Sequence, residues 1–277
     1  MTSADIPIQG GGNVAAADEA HVGELVHKGL VKWHFGFAVL FMLTSMTAGF
    51  LVSLNFLGHY PFETIPWLSP GRLRFLHTNE IAYGFLVNCF VGAMYYAIPR
   101  LTGKPVASKA LGWLILPVWQ FIVLATSVGQ LLGYAQGVEW GETPTGFRPG
   151  SFDLNYIPVD ALVAVGAVLV AIQFLVPLAR SIHKRMYVSA WYLTAGIVWL
   201  ILTYVMGNTL PEWSMPGASG AATVGLFIHD LVGLFVTPMG WGLMYFFVPI
   251  ILRAPVWSHA LSIIGFWALA FFYPLNG

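Results

Sequence analysis

Charged residues cut the chain into long apolar runs. Nothing is charged from Trp33 to Phe62, and Glu80 alone interrupts Phe75 to Pro99. Ala110 to Val138, Ala161 to Ala179 and Met186 to Pro211 carry no charge. Asp230 alone interrupts Trp213 to Leu252, and a last run extends from Ala254 to Gly277. A helix needs about 20 mostly apolar residues to cross a bilayer. The pattern therefore predicts six full spans and a seventh that ends at the C-terminus. The runs are rich in Leu, Ile, Phe and Trp without period-2 alternation, which argues against a β-barrel. The predicted fold is an all-α polytopic transmembrane helical bundle. Residues 1–30 read as a polar, Gly/Ala-rich tail with no apolar segment of the kind a cleaved signal peptide carries, and residues 31–277 as one bundle.

Composition sharpens this. Of 277 residues, 57% are hydrophobic and only 9% are charged, against about 25% in soluble domains. Soluble enzymes and disordered chains are thereby excluded. Twelve Lys/Arg balance twelve Asp/Glu, so no basic field exists to collect nucleic acid. The cations are unevenly placed. With the N-terminus in the cytoplasm, Lys28, Lys32, Arg100, Lys104, Lys109, Arg180, Lys184, Arg185 and Arg253 fall inside, and only Arg72, Arg74 and Arg148 outside. That matches the positive-inside bias. Trp67, Trp113, Tyr187 and Trp257 at helix ends fit interfacial belts. Cys89 is a lone cysteine and forms no internal disulfide. The segment from Gly137 to Ile157 reads as a solvated connection.

Ionisable groups at bilayer depth are costly and are functional candidates. They are His77, Glu80, Asp160, His229 and Asp230. His34, His183 and His259 are expected at cytoplasmic helix ends, in contact with headgroups. His77 enters the second span with Arg74 one turn before it on the same face and Arg72 nearby. Neutral imidazole suits a metal or haem iron, and arginines suit carboxylates. Gly84 and Gly92 on that helix either leave room for a flat macrocycle or serve helix packing. Glu80, one turn deeper, is expected to bond His77 or water. His229 lies between Gly225 and Gly233, a notch that suits either a ligand or a hydrogen-bonded packing histidine. Pro238 predicts a kink at Leu234. Tyr273, near the end of the seventh span, comes to about the depth of His229. Asp160 reads as a helix N-cap.

Several segments resemble one family. Gly71-Arg-Leu-Arg-Phe-Leu-His-Thr-Asn79 is similar to the second-helix motif of the catalytic subunit of haem–copper oxidases, specifically the C-family, cbb3-type cytochrome c oxidases. Tyr187-Val-Ser-Ala-Trp-Tyr192 resembles that family's fifth helix entry. Ile228-His-Asp-Leu-Val-Gly233 with Met244-Tyr-Phe-Phe-Val-Pro249 resembles its sixth. Pro255-Val-Trp-Ser-His-Ala-Leu-Ser262 and Gly265-Phe-Trp-Ala-Leu-Ala-Phe-Phe-Tyr-Pro-Leu-Asn-Gly277 resemble its seventh. The likeness runs from Val31 to the last residue.

The resemblance implies half of a twelve-helix fold in a bacterial-type inner membrane. It gives His77 the role of axial ligand to a low-spin haem b, and Arg74 and Arg72 contacts to haem propionates. His229 becomes a ligand of the active-site copper. Tyr273 becomes the tyrosine linked to a copper-ligand histidine, supplying an electron and a proton when dioxygen is reduced to water. Electrons would come from c-type cytochrome subunits or cytochrome c, with protons translocated across the lipid membrane. The family's two further copper histidines, the other axial histidine of the low-spin haem and the ligand of the high-spin haem would all follow Gly277. The chain alone is thus expected to be inactive without the C-terminal half of the subunit, as a truncated reading frame or one part of a split subunit. Glu80 and Asp230 depart from the apolar or amide residues expected there. Nitric oxide reductases share the scaffold but lack the linked tyrosine; a non-catalytic transport or assembly subunit is the third reading.

Overall fold

The computed structural model describes residues 23–133, 147–148, 151–152, 159–181, 186–215 and 217–275. Seven helices follow one another: α1 (Lys28–Phe56), α2 (Pro70–Thr102), α3 (Lys109–Leu132), α4 (Val159–Ala179), α5 (Val188–Trp213), α6 (Ala218–Leu252) and α7 (His259–Phe272). The first six contain stretches long and apolar enough to cross a membrane, and α7 is a shorter apolar helix. A two-residue strand pair, β1 (Phe147–Arg148) with β2 (Ser151–Phe152), falls in the segment expected to be a connection; the rest of that segment lies outside the described residues. α4 opens at Val159, one residue ahead of Asp160.

Local chemistry sets the helix ends. Ser108 and Ser258 cap α3 and α7, accepting from the N–H groups of Leu111 and Leu261 at 3.2 Å each, which satisfies first-turn donors. His27 does the same for α1 through Nδ1. Gly103 and Gly133 end α2 and α3 in the left-handed conformation, where a residue without Cβ carries no penalty.

Neighbouring helices are antiparallel, as the contact pairs require. Between α1 and α2, Gly49 meets His77, Phe41 meets Gly84 and Phe35 meets Gly92. Between α2 and α3, Arg72 reaches Leu131 and Asn88 reaches Gln120. Between α5 and α6, Gly207 meets Phe227, Gly196 meets Met239 and Leu193 meets Gly242. Helix α1 shows the inside–outside logic. Its buried stripe is Leu30, His34, Ala38, Phe41, Ser45 and Ala48, spaced three and four apart on one face. Its outward face carries Trp33, Leu40, Leu43, Met46 and Phe50. The buried polar groups His34 and Ser45 face protein, while large apolar side chains dominate the outward face, the arrangement expected where lipid is the solvent.

One expectation is overturned here, and one open alternative is decided. His34 does not sit among headgroups; it is 1% exposed, and its Nδ1 pairs with Asn88 Oδ1 at 2.9 Å. It lies on the protein-facing stripe of α1, so it turns inward rather than toward the membrane surface. Gly84 and Gly92 leave no slot for a macrocycle. A Cβ on Gly84 would lie 2.7 Å from Phe41, and one on Gly92 3.2 Å from Phe35 and His34. The space belongs to side chains of α1, and the glycines serve close helix packing.

Both long helices are interrupted by a single π stretch, Glu80–Leu86 in α2 and Leu231–Val236 in α6. The first is braced by side chains: Asn88 Nδ2 donates to the Gly84 carbonyl at 2.7 Å, and Trp119 Nε1 to the Tyr83 carbonyl at 3.0 Å. The second ends just before Pro238. The break in pairing that this proline imposes takes the form of a wide turn in the segment holding Leu234. One close approach invites a test. A Cβ at Gly207 would lie 2.1 Å from the Phe227 ring, so Gly207→Ala should cost about 1–3 kcal/mol. Denaturant unfolding of the purified chain in detergent should show the lower midpoint.

Candidate functional site

His77 lies on α2, in the last turn before the π stretch. Its Nδ1 is 2.8 Å from the Ser45 carbonyl oxygen and 3.1 Å from Ser45 Oγ, while Ser45 Oγ donates to the His77 carbonyl at 2.8 Å. A carbonyl only accepts, so Nδ1 carries the proton and Nε2 keeps its lone pair. A backbone carbonyl on the other ring nitrogen is what fixes ring orientation in metal-bound histidines. The ring packs closely on Gly49, where a Cβ would come within 2.8 Å of it. Ser45 and Gly49 are i, i+4 neighbours on α1. The sequence reading overlooked both; the signal available was the polar residue in that helix's buried stripe.

The two arginines differ. Arg72 Nη1 donates to the Leu131 carbonyl at 2.8 Å, and its guanidinium fills the space beside Gly133. It thus ties α2 to the C-terminus of α3, where a cation meets the negative end of the helix. Arg74 is exposed, with its guanidinium 5.4 Å from the Phe75 ring centre. Glu80 does not bond His77 through its carboxyl. Its oxygens take Thr44 Oγ1 at 2.5 Å and Ser127 Oγ at 2.9 Å, because the side chain points between α1 and α3.

The second station is on α6. The His229 and Tyr273 rings are stacked, with centroids 4.2 Å apart and planes 23° from parallel. His229 Nε2 donates to the Tyr273 carbonyl at 3.0 Å, which leaves Nδ1 as the free lone pair. Gly233 makes the contact possible, since a Cβ there would lie 1.7 Å from the Tyr273 ring. Of the notch expected around His229, Gly233 is filled by the tyrosine, while Gly225 faces open space. Asp230 is buried, and its Oδ1 has no hydrogen-bond partner among the described residues.

Three aromatic rings link α2, α5 and α6. Tyr83 on α2 meets Tyr204 on α5 edge-on at 6.4 Å, and Tyr204 meets Phe227 on α6 at 6.0 Å. The structure brings His229 together with Tyr273, and His77 together with Ser45. Among the described residues, no three His, Cys, Asp or Glu side chains converge in a way that holds a metal ion. Each histidine presents one free nitrogen. Each fits one position of a larger coordination sphere, and a complete site needs further ligands.

Replacing Gly233 by Ala should push the Tyr273 ring off His229. The ring-current shift on the His229 imidazole protons, read by NMR of histidine-labelled chain in lipid, should collapse. Gly225→Ala should leave it in place.

Residues 29–277 match the family described as "Cytochrome C and Quinol oxidase polypeptide I". The chain is 33% identical over 216 residues to "Cytochrome c oxidase subunit 1" of Rhodobacter capsulatus, covering 74% of this chain and 38% of that protein. It is 29% identical over 242 residues to "Cbb3-type cytochrome c oxidase subunit CcoN1" of Stutzerimonas stutzeri, covering 85% and 48%. A "Cytochrome c oxidase subunit 1 homolog, bacteroid" of Bradyrhizobium diazoefficiens is 28% identical over 239 residues, covering 82% and 41%. The chain spans less than half the length of each of these relatives. With its apolar helices and a match over all seven of them, the chain is an integral membrane protein that belongs to the cytochrome c and quinol oxidase polypeptide I family.

Proposed function

We propose that this chain is the N-terminal part of the catalytic subunit of a cbb3-type haem–copper oxidase, which reduces dioxygen to water with electrons from a c-type cytochrome. The observation that carries the reading is the Tyr273 phenol stacked on His229, with Gly233 shaped to admit it. A tyrosine brought from the seventh helix onto a candidate copper ligand is what an oxidase of this type needs, and nitric oxide reductases lack it. The cbb3-type relative adds support.

In this reading His77 would hold the low-spin haem b through Nε2, its tautomer set by Ser45. Arg74 and Arg72 would contact the haem propionates. His229 supplies one of the copper's imidazoles through Nδ1. The remaining haem and copper ligands would come from the C-terminal half of the subunit. When bound, the haems and copper supply electron transfer and dioxygen reduction. Tyr273 holds a phenolic proton beside His229 for that reaction. The N-terminus lies in the cytoplasm, so that the Lys/Arg-rich helix ends face the inner side of a bacterial-type membrane.

Three measurements on membranes holding the complete subunit test this. His77→Ala should abolish the low-spin b-haem band in the reduced-minus-oxidised spectrum; an intact band refutes the haem assignment. His229→Ala should lower the copper content toward zero, whereas non-haem iron in the wild-type protein would favour nitric oxide reduction. Peptide mass mapping should show Tyr273 cross-linked to His229, and an unmodified Tyr273 peptide from active enzyme would remove its role.

A further inference from the structure

Arg100 lies in the last turn of α2, two residues before Thr102, at the Lys/Arg-rich end of the bundle. Helix α2 is 33 residues long, about 50 Å at 1.5 Å per residue. That is longer than the roughly 30 Å hydrocarbon core and comparable with the bilayer including its headgroups. Its last turn therefore lies at headgroup level.

Aromatic rings from two helices pin the side chain there. The guanidinium carbon lies 4.6 Å from the centre of the Tyr96 ring, one turn back on α2. Tyr96 stacks on Phe247 of α6, with centroids 5.8 Å apart and planes 19° from parallel, and meets Phe246 edge-on at 6.3 Å. Phe246 is itself buried. The platform is thus built across the contact between α2 and α6. A cation over a tyrosine face is attracted by the ring but keeps its full charge.

That charge lacks a protein counterion among the described residues. Arg100 is partly buried, its Nε is enclosed without a hydrogen-bond partner, and the Tyr96 ring is the contact the structure gives the guanidinium. The negative end of α2 offsets about half a charge. The connections at this end, residues 103–108, 180–187 and 253–258, contain no Asp or Glu. Arg72, by contrast, spends its guanidinium on the Leu131 carbonyl. With Nε enclosed, the terminal Nη groups of Arg100 are left to meet an external acceptor. A planar guanidinium matches phosphate oxygens in charge and geometry. Seven residues before Phe247, two turns toward the middle of the bilayer, Gly240 has open space beside it. That leaves room for an acyl chain along α6.

We propose that Arg100, set on Tyr96 and Phe247, binds the headgroup phosphate of an anionic phospholipid. Basic positions between transmembrane helices hold lipid headgroups in this way. The net positive charge of this end selects an anionic lipid over a zwitterionic one. The inference rests on α2 and α6 alone and stands whether or not the oxidase reading does.

The test uses the 277-residue chain, labelled with nitrogen-15 arginine, in nanodiscs of phosphatidylcholine with a minority of phosphatidylglycerol. Solid-state NMR should show dipolar coupling between the Arg100 Nη nitrogens and lipid phosphorus, with Arg100→Gln identifying the signal. Absence of that coupling in the unsubstituted chain overturns the site, independently of how any variant folds. Native mass spectrometry of the chain in detergent then reads affinity. Arg100→Lys, which keeps the charge but loses the planar fork, should bind phosphatidylglycerol about tenfold more weakly, a loss of ~1.4 kcal/mol. Arg253→Gln, which removes an exposed cation at the same end, should bind it as the unsubstituted chain does. Equal losses in the two variants reduce the effect to overall charge and overturn the site. Equal retention of phosphatidylcholine overturns the preference for an anionic lipid. Inorganic phosphate at the same concentration should displace no lipid; displacement makes this a site for free phosphate and overturns the lipid assignment.

Discussion

Inside a bilayer, a backbone or side-chain polar group has no water to turn to, and an unpaired one costs several kcal/mol. The architecture follows from that constraint. Where α2 departs from α-helical pairing in its π stretch, the carbonyls of Tyr83 and Gly84 are met by Trp119 and Asn88. Those donors come from α3 and from the next turn of α2, so a local distortion of one helix becomes a contact between helices. The same need sets the tautomers. Ser45 decides which nitrogen of His77 is free, Asn88 decides it for His34, and the Tyr273 carbonyl for His229. Three histidines of identical chemistry thereby acquire three defined free nitrogens.

The two π stretches share a position. Each begins within three residues after a candidate ligand, His77 or His229. A π turn widens the helix and shifts the residues beyond it relative to an ideal helix, and such turns recur at functional sites. In α2 the shift brings Asn88 and Gly92 onto α1, beside His34. In α6 it precedes Met239 and Gly242, which pack against Gly196 and Leu193 of α5. The ligand-bearing halves can therefore be angled for their sites while the remaining halves keep ordinary helix packing.

Much of the fold was legible from charge spacing alone, because lipid demands long apolar runs and penalises each exception. Helix number and order follow from that demand. Tyr273 reaching the level of His229 was also legible, since rise per residue is fixed. What was not legible depends on which way a helix faces. His34 was assigned to the membrane surface on depth, yet its azimuth on α1 turns it inward. Gly84 and Gly92 were compatible with either a ligand slot or close packing, and only the position of Phe41 and Phe35 decides. Glu80 was expected to bond His77 or water, but the hydroxyls of Thr44 and Ser127, on other helices, claim its carboxyl. Contacts between helices are set by rotation and tilt, and hydropathy along one strand of sequence carries little of either.

Helix α7 is held near its middle by Phe266, which packs against Trp191, Tyr192 and Trp199 of α5. Tyr273 follows that anchor by seven positions, close to two full turns. An α-helix advances about 1.5 Å and turns about 100° per residue. Inserting or deleting one residue between Phe266 and Tyr273 would keep every side chain in the sequence yet swing the phenol to a different face of the helix. The spacing from anchor to tyrosine is therefore under the same constraint as the tyrosine itself, and a length change in this short segment would be as damaging as losing the ring.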